Sequence, residues 1–166
     1  MASYDWARFC KRVGIKAEIN EIYNAWSRPV GLQQWFLRSA EFTDYHNFLR
    51  KSEERIQKGD NYKWMWYGYN DDIVERGTIL EANGKNMLKF TFSAHSIVTV
   101  MIKTEQNESV VELWQENIPT DEFSKAEYHI GCIQGWTFYL TNLKSFLEGG
   151  IDLRNKNVGL QNLVNA

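Results

Sequence analysis

Proline is nearly missing from this chain, with Pro29 and Pro119 the only two among 166 residues. No proline- or glycine-rich linker and no low-complexity segment divides the sequence, so one domain is expected, of a size that can bury a core without covalent staples. Cysteine is equally scarce. Cys10 and Cys132 lie far apart and outside any C-x-x-C pattern. They read as two free thiols in a reducing compartment, with a single bridge between them as the alternative. The N-terminus, Met1 to Trp6, has no apolar signal region, and no apolar run is long enough to cross a bilayer. A cytoplasmic location without a membrane span is therefore expected. Nor is there a basic block or stripe: the net charge is −2, with acids and bases interspersed. The electrostatic footprint of a nucleic-acid binder is missing. The sequence has no glycine-rich phosphate loop, no G-x-S-x-G and no H-E-x-x-H, so no cofactor is implied.

What the chain does have is aromatic volume: 14% of its residues, including seven tryptophans. That points either to a bulky core or to a cavity with aromatic walls. From Trp6 to Ala17, Phe9, Lys11 and Val13 alternate with Arg8, Cys10 and Arg12, as in a strand with one buried face. Ile22, Tyr23 and Trp26, then Leu32, Trp35 and Phe36, recur at helical spacing. Pro29 splits them into two short helices, because its ring disfavours a helical residue before it.

Strands are predicted at Tyr62–Tyr69, Ile73–Glu81, Met87–Phe92, Ile97–Lys103 and Ser109–Gln115. Asn83-Gly84 is the strongest hairpin signal between them; Asn70-Asp71-Asp72 and Gln106-Asn107-Glu108 are weaker turns. Connections this short imply an antiparallel meander. Asp44 to Gln57 is ambiguous between a helix and a hairpin carrying Phe42 and Phe48. After Pro119, Thr120 can cap a long helix, with Asp121 and Glu122 in its first turn. Tyr128, Cys132, Trp136, Tyr139, Leu143, Phe146 and Leu147 form its apolar stripe, and Gly149-Gly150 stops it. Such a helix would be roughly 40 Å long, and only a long curved sheet could cover that stripe.

This order of elements resembles the helix-grip fold of the START-like (SRPBCC) superfamily, which includes lipid-transfer domains, the birch-pollen allergen group and bacterial polyketide cyclases. Ile22-Tyr23-Asn24-Ala25-Trp26 followed by Trp35-Phe36 looks like the short-helix signature. Arg76-Gly77-Thr78-Ile79 looks like the glycine-bearing strand, and Gly135-Trp136 with Leu140, Leu143 and Leu147 like the C-terminal helix. The set is similar to the branch named after the activator of the heat-shock protein ninety ATPase. The resemblance implies an α+β domain over residues 1–154: six or seven antiparallel strands wrapped over a long C-terminal helix, with two short helices after the first strand. Residues 155–166 would be a tail with no counterpart.

In the implied fold, sheet and helix enclose a cavity. Its walls would be Trp35, Phe36, Trp64, Trp66, Phe90, Tyr128, Cys132, Trp136 and Tyr139, with Gln115 orienting a ligand's polar end. The expected occupant is a small apolar or amphipathic molecule. Filled-core packing of Trp64 and Trp66 is the competing account. An alternative function is a cochaperone-like protein-interaction module presenting Tyr67 and Trp114. A third is a cyclase- or hydrolase-like enzyme, weakest because no acid–base pair is legible and no catalytic set can be named. By parity Glu75 shares a face with Gly77 and Ile79; it either points inward, with a raised pKa, or faces solvent at an edge. His129 and Cys132 are three apart, yet no further zinc ligands accompany them. A packed thiol and a partly exposed imidazole are expected there instead, and no metal. His46 and His95 fall at solvated loop or strand ends. Gly131 and Gly135 leave room for close packing or for a ligand. Oligomeric state is not legible.

Overall fold

In the computed structural model, which describes residues 3–160 and 162–164, the alternating first segment forms β1 (Phe9–Ile15) and the helical repeat forms α1 (Ile19–Ser27) and α2 (Pro29–Trp35). Pro29 occupies the first turn of α2, where its missing amide costs nothing. The two helices approach so closely that a Cβ on Gly31 would lie 2.4 Å from the Asn24 carbonyl oxygen.

Six further strands follow: β2 (Ser39–Thr43), β3 (Asn61–Met65), β4 (Glu75–Ala82), β5 (Met87–Phe92), β6 (Ser96–Glu105) and β7 (Glu108–Glu116). They and β1 make one seven-stranded antiparallel sheet in the order β1-β7-β6-β5-β4-β3-β2. The chain then enters α3 (Glu122–Ser124), a π-helical stretch (Lys125–Ile130) and α4 (Gly131–Gly149). The sheet's inner residues Phe90, Val98, Val100, Val111 and Leu113 bury against one core with Trp136, Leu140 and Leu143 of α4. This is the expected α+β helix-grip architecture.

Several boundaries differ from the sequence reading, each for a local reason. The aromatic run after Asn61 leaves the sheet at Met65, because Tyr69 and Ile73 belong to the β3–β4 loop. The Asn83-Gly84 hairpin exists, but its loop is longer than a two-residue turn. Asn83 Oδ1 accepts from the amides of Lys85, Asn86 and Met87, and only Gly84 of the pair has positive φ. The two-residue turn with positive φ at both centres is Gln106-Asn107, which the sequence ranks lower.

Residues 44–57 form no helix. Asp44 Oδ1 accepts from the amides of His46 and Phe48, and Thr43 bridges to Leu49. The Arg50 guanidinium grips the buried Asp60 carboxylate (Nη2–Oδ1 2.8 Å), and Asp60 also accepts from the Gln57 amide. The C-terminal helix is capped by Asp121 rather than Thr120: its side chain accepts from the Ser124 amide at 3.0 Å. Gly150 ends α4 in the left-handed conformation, φ 74°, and donates to the Phe146 and Ser145 carbonyls.

Beyond the helix the chain turns back. Arg154 is buried and donates to the carbonyls of Leu37 and Gln33, while Asn142 in α4 donates to the Trp35 carbonyl and accepts from the Leu153 amide. The start of the tail is thus fastened to the end of α2. Among the described residues no helix is long and apolar enough to cross a membrane.

Candidate functional site

A recess of about 390 Å³ opens between the helix and one end of the sheet. Phe36 enters from the end of α2. Trp66, Tyr69 and Ile73 come from the β3–β4 loop, Glu75 from the start of β4, and Phe92 and Ser93 from the end of β5. The helix side is Glu127 and Tyr128 from the π stretch, then Gly131, Cys132, Gly135, Trp136 and Tyr139 of α4.

The glycines shape the opening. A Cβ on Gly135 would meet nothing within 4 Å, and one on Gly131 only the Ala126 carbonyl oxygen at 3.8 Å. Each costs roughly 1 kcal/mol of helix stability relative to alanine, and what they leave is empty space along the recess. The π stretch adds a second irregularity, since it places Glu127 and Tyr128 on the recess while His129 turns inward.

Aromatic rings make the back wall. Phe36 stacks on Trp136 at 5.1 Å between centroids and meets Tyr139 and Trp66 edge-on at 5.0 and 5.7 Å. Phe92 lies 5.4 Å from Trp136. Trp136 is fixed by a buried polar chain: its Nε1–H donates to Gln115 Oε1 (2.9 Å), Gln115 Nε2 donates to Ser96 Oγ (2.9 Å), and Ser96 Oγ donates to the Ser93 carbonyl (2.8 Å). Every member is satisfied, so the network locks the ring instead of penalising the core. Ser93 then donates through Oγ to Glu75 Oε2 at 3.1 Å. The turn that carries Ser93 is unusual, because Ala94 (φ 56°) and His95 (φ 61°) are consecutive non-glycine residues in the left-handed region.

Burial pushes the Glu75 carboxyl above its ordinary value; the Ser93 hydrogen bond and nearby His95 pull the other way without cancelling it. Cys132 is pushed up to about 11, first by burial, so its thiol stays protonated at neutral pH and is a poor nucleophile. Burial also raises the Tyr139 hydroxyl. Both cysteines are free.

The expected wall residues divide into two groups. Phe36, Trp66, Tyr128, Cys132, Trp136 and Tyr139 line the recess. Trp35, Trp64, Phe90 and Gln115 do not; all four lie buried in the packing behind it, where Gln115 finds protein partners on both sides. Parity gave Glu75 two possible orientations, and the inward one is observed. Tyr69, Ile73, Ser93 and Glu127 were not anticipated. Tyr69 and Ile73 flank the Asn70 turn, where strand alternation carries no information, and nothing in the sequence marks the Ser93 turn.

His129 corrects the expectation of a partly exposed imidazole. It is buried between Tyr4, Trp6 and Phe9, with Nε2 2.8 Å from the Tyr4 hydroxyl and Nδ1 2.8 Å from the Trp6 carbonyl. No cluster of three metal-ligating side chains occurs among the described residues. Tyr67 and Trp114 are half-buried, Tyr67 beneath Arg154 and Lys156 and Trp114 beneath Arg8.

A sheet gripping one long helix, with a recess between them at the end near two short helices, defines a START-like protein. Residues 16–148 match the family described as activator of Hsp90 ATPase homolog 1-like protein, and the chain belongs to that family. Among curated proteins none matches by sequence. Similar solved structures include a Staphylococcus saprophyticus protein, 17% identical over 89% of this chain and 96% of that one, with a TM-score of 0.66. The Aha1 dimer from Colwellia psychrerythraea is 18% identical over 86% and 97%, TM-score 0.65. A Nitrosomonas europaea protein is 11% identical over 89% and 98%, TM-score 0.67. At these identities the likeness is one of fold.

Proposed function

We propose that this protein binds a small amphipathic molecule in the recess between the β3–β4 loop and the helix, without transforming it. The observation that supports the reading is a volume of about 390 Å³, left open at two helix glycines and walled by rings with few polar groups. Sites for small ligands are typically clefts of roughly 300–1,000 Å³ with apolar walls and a few convergent polar groups. Trp66, Trp136 and Tyr139 would contact the apolar part of the ligand, and Glu75 and Ser93 its polar end. Trp35, Trp64, Phe90 and Gln115 would act from behind, by holding those walls in place.

Glu75 also supplies one group able to act as a general acid or base, which is what a cyclase- or hydrolase-like reading would use. Binding is placed first because the other carboxylate of the lining, Glu127, is exposed at the rim and shares no hydrogen bond with Glu75 among the described residues. A cochaperone-like role is the other reading. It draws on the family's description and on Tyr45, Phe48 and Leu49, three exposed apolar side chains on the β2–β3 loop.

Native mass spectrometry of freshly purified protein, set against its denatured mass, tests the proposal. A small-molecule adduct that disappears on denaturation, and is missing from a folded Gly135→Leu variant, is the expected result. An adduct retained in Gly135→Leu would place the ligand elsewhere. A co-purified protein in its place would favour the interaction module.

A further inference from the structure

The charge of the recess narrows the ligand further. Among the described residues its lining contains two carboxylates, Glu75 and Glu127, and no lysine, arginine or histidine. Glu75 stands inside, half-buried, and Glu127 is exposed at the rim. The base that acts on Glu75 is His95, which lies outside the lining on the neighbouring turn. Around the carboxylates stand the rings of Trp66, Tyr69, Phe92, Tyr128 and Trp136. Aromatic faces carry negative potential and attract cations held within about 6 Å of their centroids, more strongly where water is excluded.

The polar chain behind the wall points the same way. It terminates on Glu75 Oε2 as a donor from Ser93, while Oε1 receives no hydrogen bond among the described residues. A carboxylate oxygen left facing a recess accepts hydrogen bonds; it offers none to an anion.

Building on the binding reading above, we infer that the recess selects an amphiphile with a cationic nitrogen head, an alkyl- or aryl-ammonium compound, over a fatty acid or other anionic lipid. The head would rest against Glu75 between the rings, with the apolar part along the gap left by Gly131 and Gly135. An anionic head in the same place would meet Glu75 and then Glu127 with no base among the described lining residues and only His95, on the neighbouring turn, acting on Glu75; repulsion of this kind is how a site rejects a wrong partner.

Three probes of equal chain length separate the possibilities: octylammonium, whose head carries both the charge and N–H donors for Glu75 Oε1, octanol and octanoate. Each is titrated calorimetrically into the intact protein below its micellar concentration at pH 7. The ammonium compound is expected to bind about tenfold or more tightly than the alcohol, and the carboxylate most weakly. Glu75→Gln should collapse the ammonium-to-alcohol ratio toward one. Glu127→Gln, at an exposed position on the rim, should reduce the ratio by a smaller factor. Octanoate binding as well as octylammonium, or a ratio unmoved in Glu75→Gln, overturns the inference. If the alcohol binds and the charge adds nothing, the cation preference fails and the binding reading stands. If none of the three binds, both fail.

Discussion

Gly77 has no side chain because Tyr62 uses the space. The Tyr62 ring, on β3, lies across β4 so closely that a Cβ on Gly77 would be 2.6 Å from it, and its hydroxyl donates to the Thr91 carbonyl of β5 at 2.6 Å. One aromatic side chain thereby ties three strands together beside the recess. Gly77→Ala should cost roughly 1–3 kcal/mol by overpacking, read as a lowered urea midpoint with unchanged slope. At Glu75 the sign of the pH dependence follows from the raised carboxyl pKa, which burial produces. The folded state binds that proton more tightly than the unfolded chain does. Its stabilising contribution is therefore complete below the ordinary carboxylate pKa and is lost as pH rises through the raised value. Glu75→Gln should accordingly be more stable than the parent at pH 7, and the gap should close as pH falls to about 4; urea midpoints across that range check it.

At the level of elements, the β2–β3 connection depends on one buried ion pair. Asp60 is almost wholly enclosed and Arg50 largely so. Removing one partner leaves the other charge buried and alone, so Asp60→Ala should destabilise by roughly 3–5 kcal/mol, as chemical denaturation would measure. That pair also explains why residues 44–57 were ambiguous. The segment owes its shape to contacts with Phe42, Ser27 and Asp60, and not to a hydrophobic period of its own. Where period rules, the elements were legible: α1, α2, β5 and the α4 stripe follow from the spacing of Ile22, Trp26, Leu88, Phe90 and Trp136. The recess was half legible for the same reason. Phe36, Trp136 and Tyr139 sit on periodic elements, whereas Tyr69, Ser93 and Glu127 sit on a loop, a left-handed turn and a π stretch, where parity fails.

Across the whole molecule, the returning chain closes the structure. Asp152 accepts from Asn142, Arg154 and Lys156, and Arg154 reaches the α2 end at Leu37 and Gln33. Burial alone would raise the Asp152 carboxyl, but the hydrogen bonds from Arg154 and Lys156 hold it well below its ordinary value. Its contribution is then present above the ordinary aspartate pKa and lost only as pH falls through the depressed one. Mild acid near pH 5 should leave the clasp intact. Hydrogen exchange at the Leu153 and Arg154 amides should show protection there that Arg154→Ala removes.

The π-helical stretch at Lys125–Ile130 carries a consequence for how such a site diversifies. A π turn holds more residues than the α turn it replaces, and each residue of an α-helix advances the face by about 100°. Loss of a single residue here would let the helix run as plain α, and would swing Glu127 and Tyr128 off the recess while α4 stayed packed on the sheet. A one-residue deletion, touching neither the aromatic wall nor the core, would thus rewrite the rim of the pocket and its charge. In a fold kept at under 20% identity, a change in helix register of this kind is a route to a new recess rim that leaves the packed interior intact.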